Sequence, residues 1–327
     1  MQKLAELMRA KAQELLASGK VKQVLAWRRG QFAYDNAPAV FTSPESCTEL
    51  VYDEFCPANL SKYLLAASKK KIPTAVFLKP CDTYGVNQLI KDNRVQREFV
   101  HAIGTPCPGM LDIKKIRAQG LKGFQKFTIE GEQVQVETVY GIMTVLREAV
   151  LLDKCLMCKG NAYMLADEEI GKPLPAPART LDPVAAVTRI EKLPPEERFA
   201  FWQKELSKCI RCNACRDICP ACSCEQCIFD NQAAPVAGKA FADSVEESMF
   251  HIIRAYHVAG RCVGCGECAR VCPQGVKLGL LNVKFMKDIN TFYGKYQAGS
   301  DLTTPAPQVT FKMDDVEPGA ANQKGRS

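Results

Sequence analysis

Cys209-Ile-Arg-Cys212-Asn-Ala-Cys215-Arg-Asp-Ile-Cys219-Pro220 and Cys262-Val-Gly-Cys265-Gly-Glu-Cys268-Ala-Arg-Val-Cys272-Pro273 write one spacing twice, Cys-x2-Cys-x2-Cys-x3-Cys-Pro. This is the ligand pattern of a protein that holds two 4Fe-4S clusters. Three thiolates two residues apart, wrapped in a tight loop, reach three irons of one cubane, and the fourth cysteine lies beyond the loop at a helix start. In paired runs of this kind the fourth cysteine ligates the neighbouring cluster. The pattern therefore assigns Cys209, Cys212, Cys215 and Cys272 to one cluster, and Cys262, Cys265, Cys268 and Cys219 to the other. Gly264 and Gly266 leave backbone N–H groups open to cluster sulfurs, a contact that helps set the reduction potential. A structural zinc takes four ligands in two separate pairs, whereas each run here chains overlapping pairs and adds a fourth cysteine.

The rest of the composition agrees with metal ligation in a reducing compartment. The chain has 327 residues and seventeen cysteines, and its N-terminus reads as an amphipathic helix rather than a secretory h-region, which argues against disulfides. No apolar stretch is long enough to cross a bilayer. These features predict a cytoplasmic protein from an anaerobic or oxygen-protected setting. The formal charge of +7 does not indicate nucleic acid. Each oxidised cubane with its thiolates carries about two negative charges, so two clusters bring the total to about +3 and three to about +1. Lys69-Lys70-Lys71 is the one dense basic run and reads as a solvated helix end.

Periodicity divides the chain in two. Residues 2–18 form a helix with Leu4, Leu7, Met8, Ala12, Leu15 and Leu16 on one face, ended by Gly19. Short apolar strands then alternate with helices: strands at Val21–Trp27, Thr74–Leu78 and Phe99–Ile103, helices at Leu60–Ala67, Val86–Lys91 and Leu111–Ala118. That alternation predicts an α/β domain, a sheet covered by helices, over residues 1–172. Residues 173–186 are a proline-rich linker. Residues 187–290 are a mainly helical dicluster ferredoxin domain, with helices at Pro195–Ser207 and Val245–Tyr256 leading into the two runs. Periodicity fades after Val283–Met286, and 291–327 reads as an extended or disordered tail.

In the first domain, Leu78-Lys-Pro-Cys81-Asp82 and Gly104-Thr-Pro-Cys107-Pro-Gly109-Met110 each close a strand and open a turn. Cys155-Leu-Met-Cys158, Ala166-Asp167 and Ile170-Gly171 follow. This order resembles the C-terminal domain of the beta subunits of deazaflavin-linked (coenzyme F-420) hydrogenases and formate dehydrogenases, over roughly residues 20–175. It differs in Lys-Pro-Cys-Asp where many members have Thr-Pro-Cys-Gln. Residues 185–290 resemble the helical dicluster domain of heterodisulfide reductase C subunits.

The first resemblance implies FAD beside a further 4Fe-4S cluster. Cys81, Cys107, Cys155 and Cys158 are the four cysteines a third cubane needs. The bland alternative makes Cys81 and Cys107 buried packing thiols. For the flavin, Lys79, Asp82, Thr83, Tyr84, Gly85, Thr105 and Gly109 occupy strand-to-helix turns, where loop amides and helix N-termini face a crevice. No Gly-rich dinucleotide fingerprint or phosphate loop is present, so the resemblance, not the spacing, suggests FAD. Cys47, Cys56, Cys222, Cys224 and Cys227 have no assigned role, and His101, His251 and His257 show no ligand spacing.

The expectation is an oxidoreductase subunit that relays electrons among the other subunits of a hydrogenase, formate dehydrogenase or heterodisulfide-reductase-like complex. A flavin would accept a hydride and release single electrons to the clusters. The competing reading is an electron-transfer adaptor without flavin or substrate site.

Overall fold

The computed structural model describes residues 1–231 and 244–309. Helix α1 (Gln2–Ala17) buries Leu4, Ala5, Met8, Ala12 and Leu15 and stops where Gly19 turns to φ +71°. Strand β1 (Gln23–Arg29) pairs antiparallel with β2 (Asn36–Phe41) and parallel with β3 (Thr74–Leu78). Parallel β4 (Val100–Gly104) and the short β8 (Glu168–Glu169) complete a five-stranded sheet in the order β2-β1-β3-β4-β8. Every residue of β3 is buried, as a strand covered on both faces requires. Helix α2 (Leu64–Lys69) precedes β3, and α3 (Pro80–Lys91) follows it directly, with Pro80 in the first turn, where its missing N–H costs nothing.

Two features were not visible in the periodicity. A second sheet, an antiparallel meander of β5 (Phe124–Glu130), β6 (Gln133–Thr138) and β7 (Gly141–Leu146), is inserted after α4 (Ile113–Ala118). Short helices α5 (Arg147–Val150) and α6 (Asp153–Leu156) return the chain to the first core. Only Val134, Val136 and Thr138 of this sheet are buried, so β6 alternates, while β5 and β7 on either side of it bury no residue and give no such signal.

The helical part comprises α7 (Pro183–Glu191), α8 (Pro195–Leu206), α9 (Ala214–Asp217), α10 (Ser244–Val258), α11 (Glu267–Arg270) and α12 (Leu278–Tyr293). Helix α12 runs through the point where the apolar pattern fades. Charge holds it there: Lys284 and Lys287 both pair with Glu191 of α7, and Lys284 reaches Asp288 at 2.5 Å. Among the described residues no helix is long and apolar enough to cross a membrane.

The described part of the expected tail lies against its own chain. Asn87 donates to Gly299 O at 3.1 Å, and Lys91 donates to Thr304 O. Residues 310–327 lie outside the described residues. Gly299 has φ +74°, and a Cβ there would stand 2.0 Å from Tyr84 O. Gly299→Ala is therefore expected to lift this strap off α3, costing on the order of 1–3 kcal/mol. Limited proteolysis checks it: residues after Tyr293 should be cut faster in the variant, and an unchanged cleavage rate would count against the contact.

Candidate iron-sulfur centres

The two cysteine runs fold into the same loop. Arg211 and Asn213 in the first, and Gly264 and Gly266 in the second, stand two and four residues after the leading cysteine. All four have positive φ, at 52°, 62°, 65° and 72°. Alternating handedness turns successive N–H groups inward, a concavity suited to anionic sulfur. Glycine adopts this at no steric cost, whereas Arg211 loses about 1–2 kcal/mol and Asn213, a residue that tolerates the left-handed region, less. Arg211 N–H donates to Cys209 Sγ at 3.3 Å and Val276 N–H to Cys272 Sγ at 3.4 Å. Asn282 Nδ2 reaches Cys268 Sγ at 3.5 Å.

One hollow is lined by Cys209, Cys212, Cys215 and Cys272, three thiols of the first run and the last of the second. Cys219, the last of the first run, acts electrostatically on Cys262, Cys265 and Cys268. The two sets abut, since Cys215 feels both Cys272 and Cys219. Buried Arg254 of α10 lies beside members of both and donates to Cys215 O at 3.0 Å. Among the described residues no three His, Cys, Asp or Glu side chains gather closely enough to hold a single metal ion.

A second hollow is lined by Cys81, Cys107, Cys155 and Cys158 together. Each sits where a turn delivers it: Cys81 in the first turn of α3, Cys107 after β4, Cys155 in α6 and Cys158 just past it. Met110 N–H donates to Cys155 Sγ at 3.2 Å and Gly160 N–H to Cys158 Sγ at 3.4 Å. Val263, Gly264 and Cys265 of the second run form part of its wall. Burial, with help from neighbouring thiols, pushes Cys107 and Cys268 up to about 12. Such thiols ionise when iron takes the place of the proton. Buried or partly buried sulfurs, with Cys212 exposed, nearby amides and sets of four are the donor chemistry a cubane takes.

The two halves are locked by a buried ion cluster between the cysteines. Glu267, fully buried between Cys265 and Cys268, meets Lys154 at 2.5 Å and Arg270 at 2.8 Å, and accepts the Asn59 N–H at 3.1 Å. Lys154, next to Cys155, also donates to Pro57 O at 2.5 Å. Burial alone would raise the Glu267 pKa, but Lys154 and Arg270 overcome it and push it down to about 2. Spacing gave no sign of this pair, because its members are 113 residues apart.

The turn residues associated with a flavin are engaged within the protein. Lys79 lies over the Trp27 ring, donates to Ala58 O at 2.8 Å and forms a buried ion pair with Asp82 Oδ2 at 2.9 Å. Thr83 Oγ1 bonds Pro80 O and Met164 N, and Thr105 Oγ1 bonds Ile103 O. Gly85 gives room to Ser61 and Pro220, Gly109 to Pro177, and Tyr84 receives Lys159 over its ring. Tyr163 fills the space over Gly104 at the carboxyl end of β4. Lys79 and Gly109 also line the hollow of Cys81, Cys107, Cys155 and Cys158. Of the unassigned cysteines, Cys47 and Cys56 are buried core thiols, and Cys222, Cys224 and Cys227 line a groove beside α10.

Comparison with known proteins adds what the chain resembles. The family described as 4Fe-4S dicluster domain matches residues 205–276. The beta subunit of F420-dependent formate dehydrogenase from Methanocaldococcus jannaschii is 24% identical over 349 residues, 89% of this chain and 90% of the relative. This is an iron-sulfur electron-transfer protein akin to those beta subunits. The beta subunit of formate dehydrogenase 1 from Methanococcus maripaludis is also 24% identical to this beta-subunit-like chain, over 65% of it and 70% of the relative. A chain of the F420-reducing [NiFe] hydrogenase complex from Methanosarcina barkeri is 14% identical with a TM-score of 0.37, covering 48% of this chain and 62% of that one.

Glu267→Ala leaves Lys154 and Arg270 buried without a counter-charge and is expected to cost about 3–5 kcal/mol. The Glu267 contribution is complete above its unfolded value of 4.5 and is lost as pH falls toward 2. The deficit of Glu267→Gln against the parent chain, followed by denaturant unfolding, should shrink as pH drops below 4.5. A deficit independent of pH would remove the ion cluster from this account.

Proposed function

We propose that this chain is the electron-relay subunit of a cytosolic anaerobic oxidoreductase, a complex of the hydrogenase, formate dehydrogenase or heterodisulfide-reductase-like kind. Three 4Fe-4S clusters would be held by Cys81, Cys107, Cys155 and Cys158, by Cys262, Cys265, Cys268 and Cys219, and by Cys209, Cys212, Cys215 and Cys272. One observation carries the reading: the three cysteine sets are contiguous. The first shares the Val263–Cys265 wall with the second, and the second meets the third at Cys215 and Cys219. Cubanes cycle one electron each. The chain's residues fix their spacing, exclude water and supply inward N–H groups and the buried Arg254 charge. Cys212 is exposed, which gives the line a solvent-facing end. Exposed Val139, Tyr140, Ile142, Met143 and Leu146 along the second sheet support membership of a complex, because lone domains rarely leave such patches open.

A second reading keeps the flavin and seats it elsewhere. The groove between α2 and α10, with a cavity of about 610 Å³ beside Cys222, gathers Lys62, Lys69, Arg94, Arg216, Arg254 and Arg261 against three acidic residues. That size and charge suit a dinucleotide's pyrophosphate. A flavin there would turn a hydride from an F420-type carrier into single electrons. Acid-released flavin from the anaerobically purified complex decides: near-stoichiometric FAD that is lost in Lys69→Glu/Arg94→Glu supports this reading, and none leaves the relay without flavin.

Iron content tests the ligand sets. Cys158→Ser should remove about four irons and spare the dicluster spectra. Crossed ligation requires that Cys209→Ser/Cys272→Ser lose no more iron than Cys209→Ser alone, because both residues serve one cluster. Cys209→Ser/Cys219→Ser should lose about twice as much. The reverse pattern would show each run serving its own cluster.

A further inference from the structure

Helix α10 places two polar side chains, His251 and Arg254, on its buried side beside the cysteines. Arg254 is engaged with Cys215 O, but His251 is not engaged at all. It is 1% exposed, and among the described residues neither of its ring nitrogens meets a hydrogen-bond partner. Its ring packs against Phe250, with centroids 4.9 Å apart and planes at 74°. That contact satisfies the ring's apolar faces and leaves the nitrogens idle. A buried donor left unmade costs about 1–3 kcal/mol, so an orphan imidazole in a packed core needs a reason. His251 lines the hollow formed by Cys209, Cys212, Cys215 and Cys272.

We propose that His251 donates its ring N–H to a sulfur of the cubane held by Cys209, Cys212, Cys215 and Cys272, and that this bond raises the reduction potential of that cluster above its neighbours'. The proposal rests on the cluster reading of that cysteine set. A neutral imidazole carries one N–H and so makes one such bond. A reduced cluster carries one more negative charge on its sulfurs, so a donor stabilises it more than the oxidised form. The corresponding position near the other two sets has no histidine: His101 bonds Glu168 at 2.8 Å on the first sheet, and His257 lines the groove. His251 is thus a positioning residue whose effect is confined to one cluster.

The experiment is a redox titration of the anaerobic holoprotein followed by electron paramagnetic resonance, with ¹⁵N-histidine labelling. In the parent chain a single histidine nitrogen coupling should appear in the pulsed spectrum of one reduced cluster. In His251→Phe that coupling should vanish, and the ratio of reduced to oxidised cluster at the parent midpoint should fall about tenfold, equal to about 59 mV for one electron. The other clusters should titrate unchanged, and His251→Gln, which keeps an N–H, should recover part of the shift. Absence of any histidine coupling in the labelled parent overturns the proposal without needing a variant to fold. Equal potentials in His251→Phe and parent, with iron content intact, also overturn it. If Cys209→Ser removes no iron, the cluster reading itself fails, a result distinct from either.

Discussion

The Glu267 carboxylate, with Lys154 and Arg270 against it, is the contact on which the relation between the two halves depends. It is made by residues adjacent to cysteines, so the same few ångströms of chain that would hold one cluster also hold the other domain. Burying three charges is costly, and the compensation comes from geometry: both carboxylate oxygens are engaged, and Lys154 finds Pro57 O as well. Gly266 is part of the same fitting. A Cβ there would come 2.7 Å from Lys154 Cβ, so the loop's glycine serves both its own handedness and the approach of the first domain. Secondary contacts follow the same seam, with Lys62 donating to Arg216 O and Cys222 O, and Arg261 to Asp92.

Much of the architecture was legible because it is periodic. Helix α1, strand β3 and helix α10 announce themselves through apolar spacing that a buried face demands, while α8 is marked at its start by Pro195, Glu196 and Glu197. The α/β region followed by a helical dicluster region is the observed order. The meander of β5 to β7 escaped because its outer strand is exposed nearly throughout, and an unburied face imposes no alternation. Helix α12 escaped because Glu191, far away in the chain, supplies its stabilising partners. In both cases the deciding force comes from outside the segment being read, which local pattern cannot record.

The site divides along a similar line. Cysteine spacing is a constraint within the chain, so it survives in sequence; Cys209, Cys212, Cys215 and Cys272 line one hollow, and Cys219 acts on Cys262, Cys265 and Cys268. His251 and Arg254 could have been found by a finer reading of α10, where Phe250, Ala255 and Val258 mark the buried side and a polar residue among them stands out. Glu267 and Lys154 carry no such mark. The turn residues tied to FAD carry no pattern of their own: at the carboxyl ends of strands their side chains are engaged within the protein, and Tyr163 covers Gly104.

The two cysteine loops share one backbone path but not one composition. Glycine lets the second loop take that path at rest, while in the first loop Arg211 is held there against a preference for the other hand. The second loop is a mould already cast, and the first is a spring wound around its contents. A pair that looks symmetric on paper therefore differs in what one substitution can relax: glycine in place of Arg211 would ease the first loop, and the second, with glycine at both places, has nothing comparable to gain.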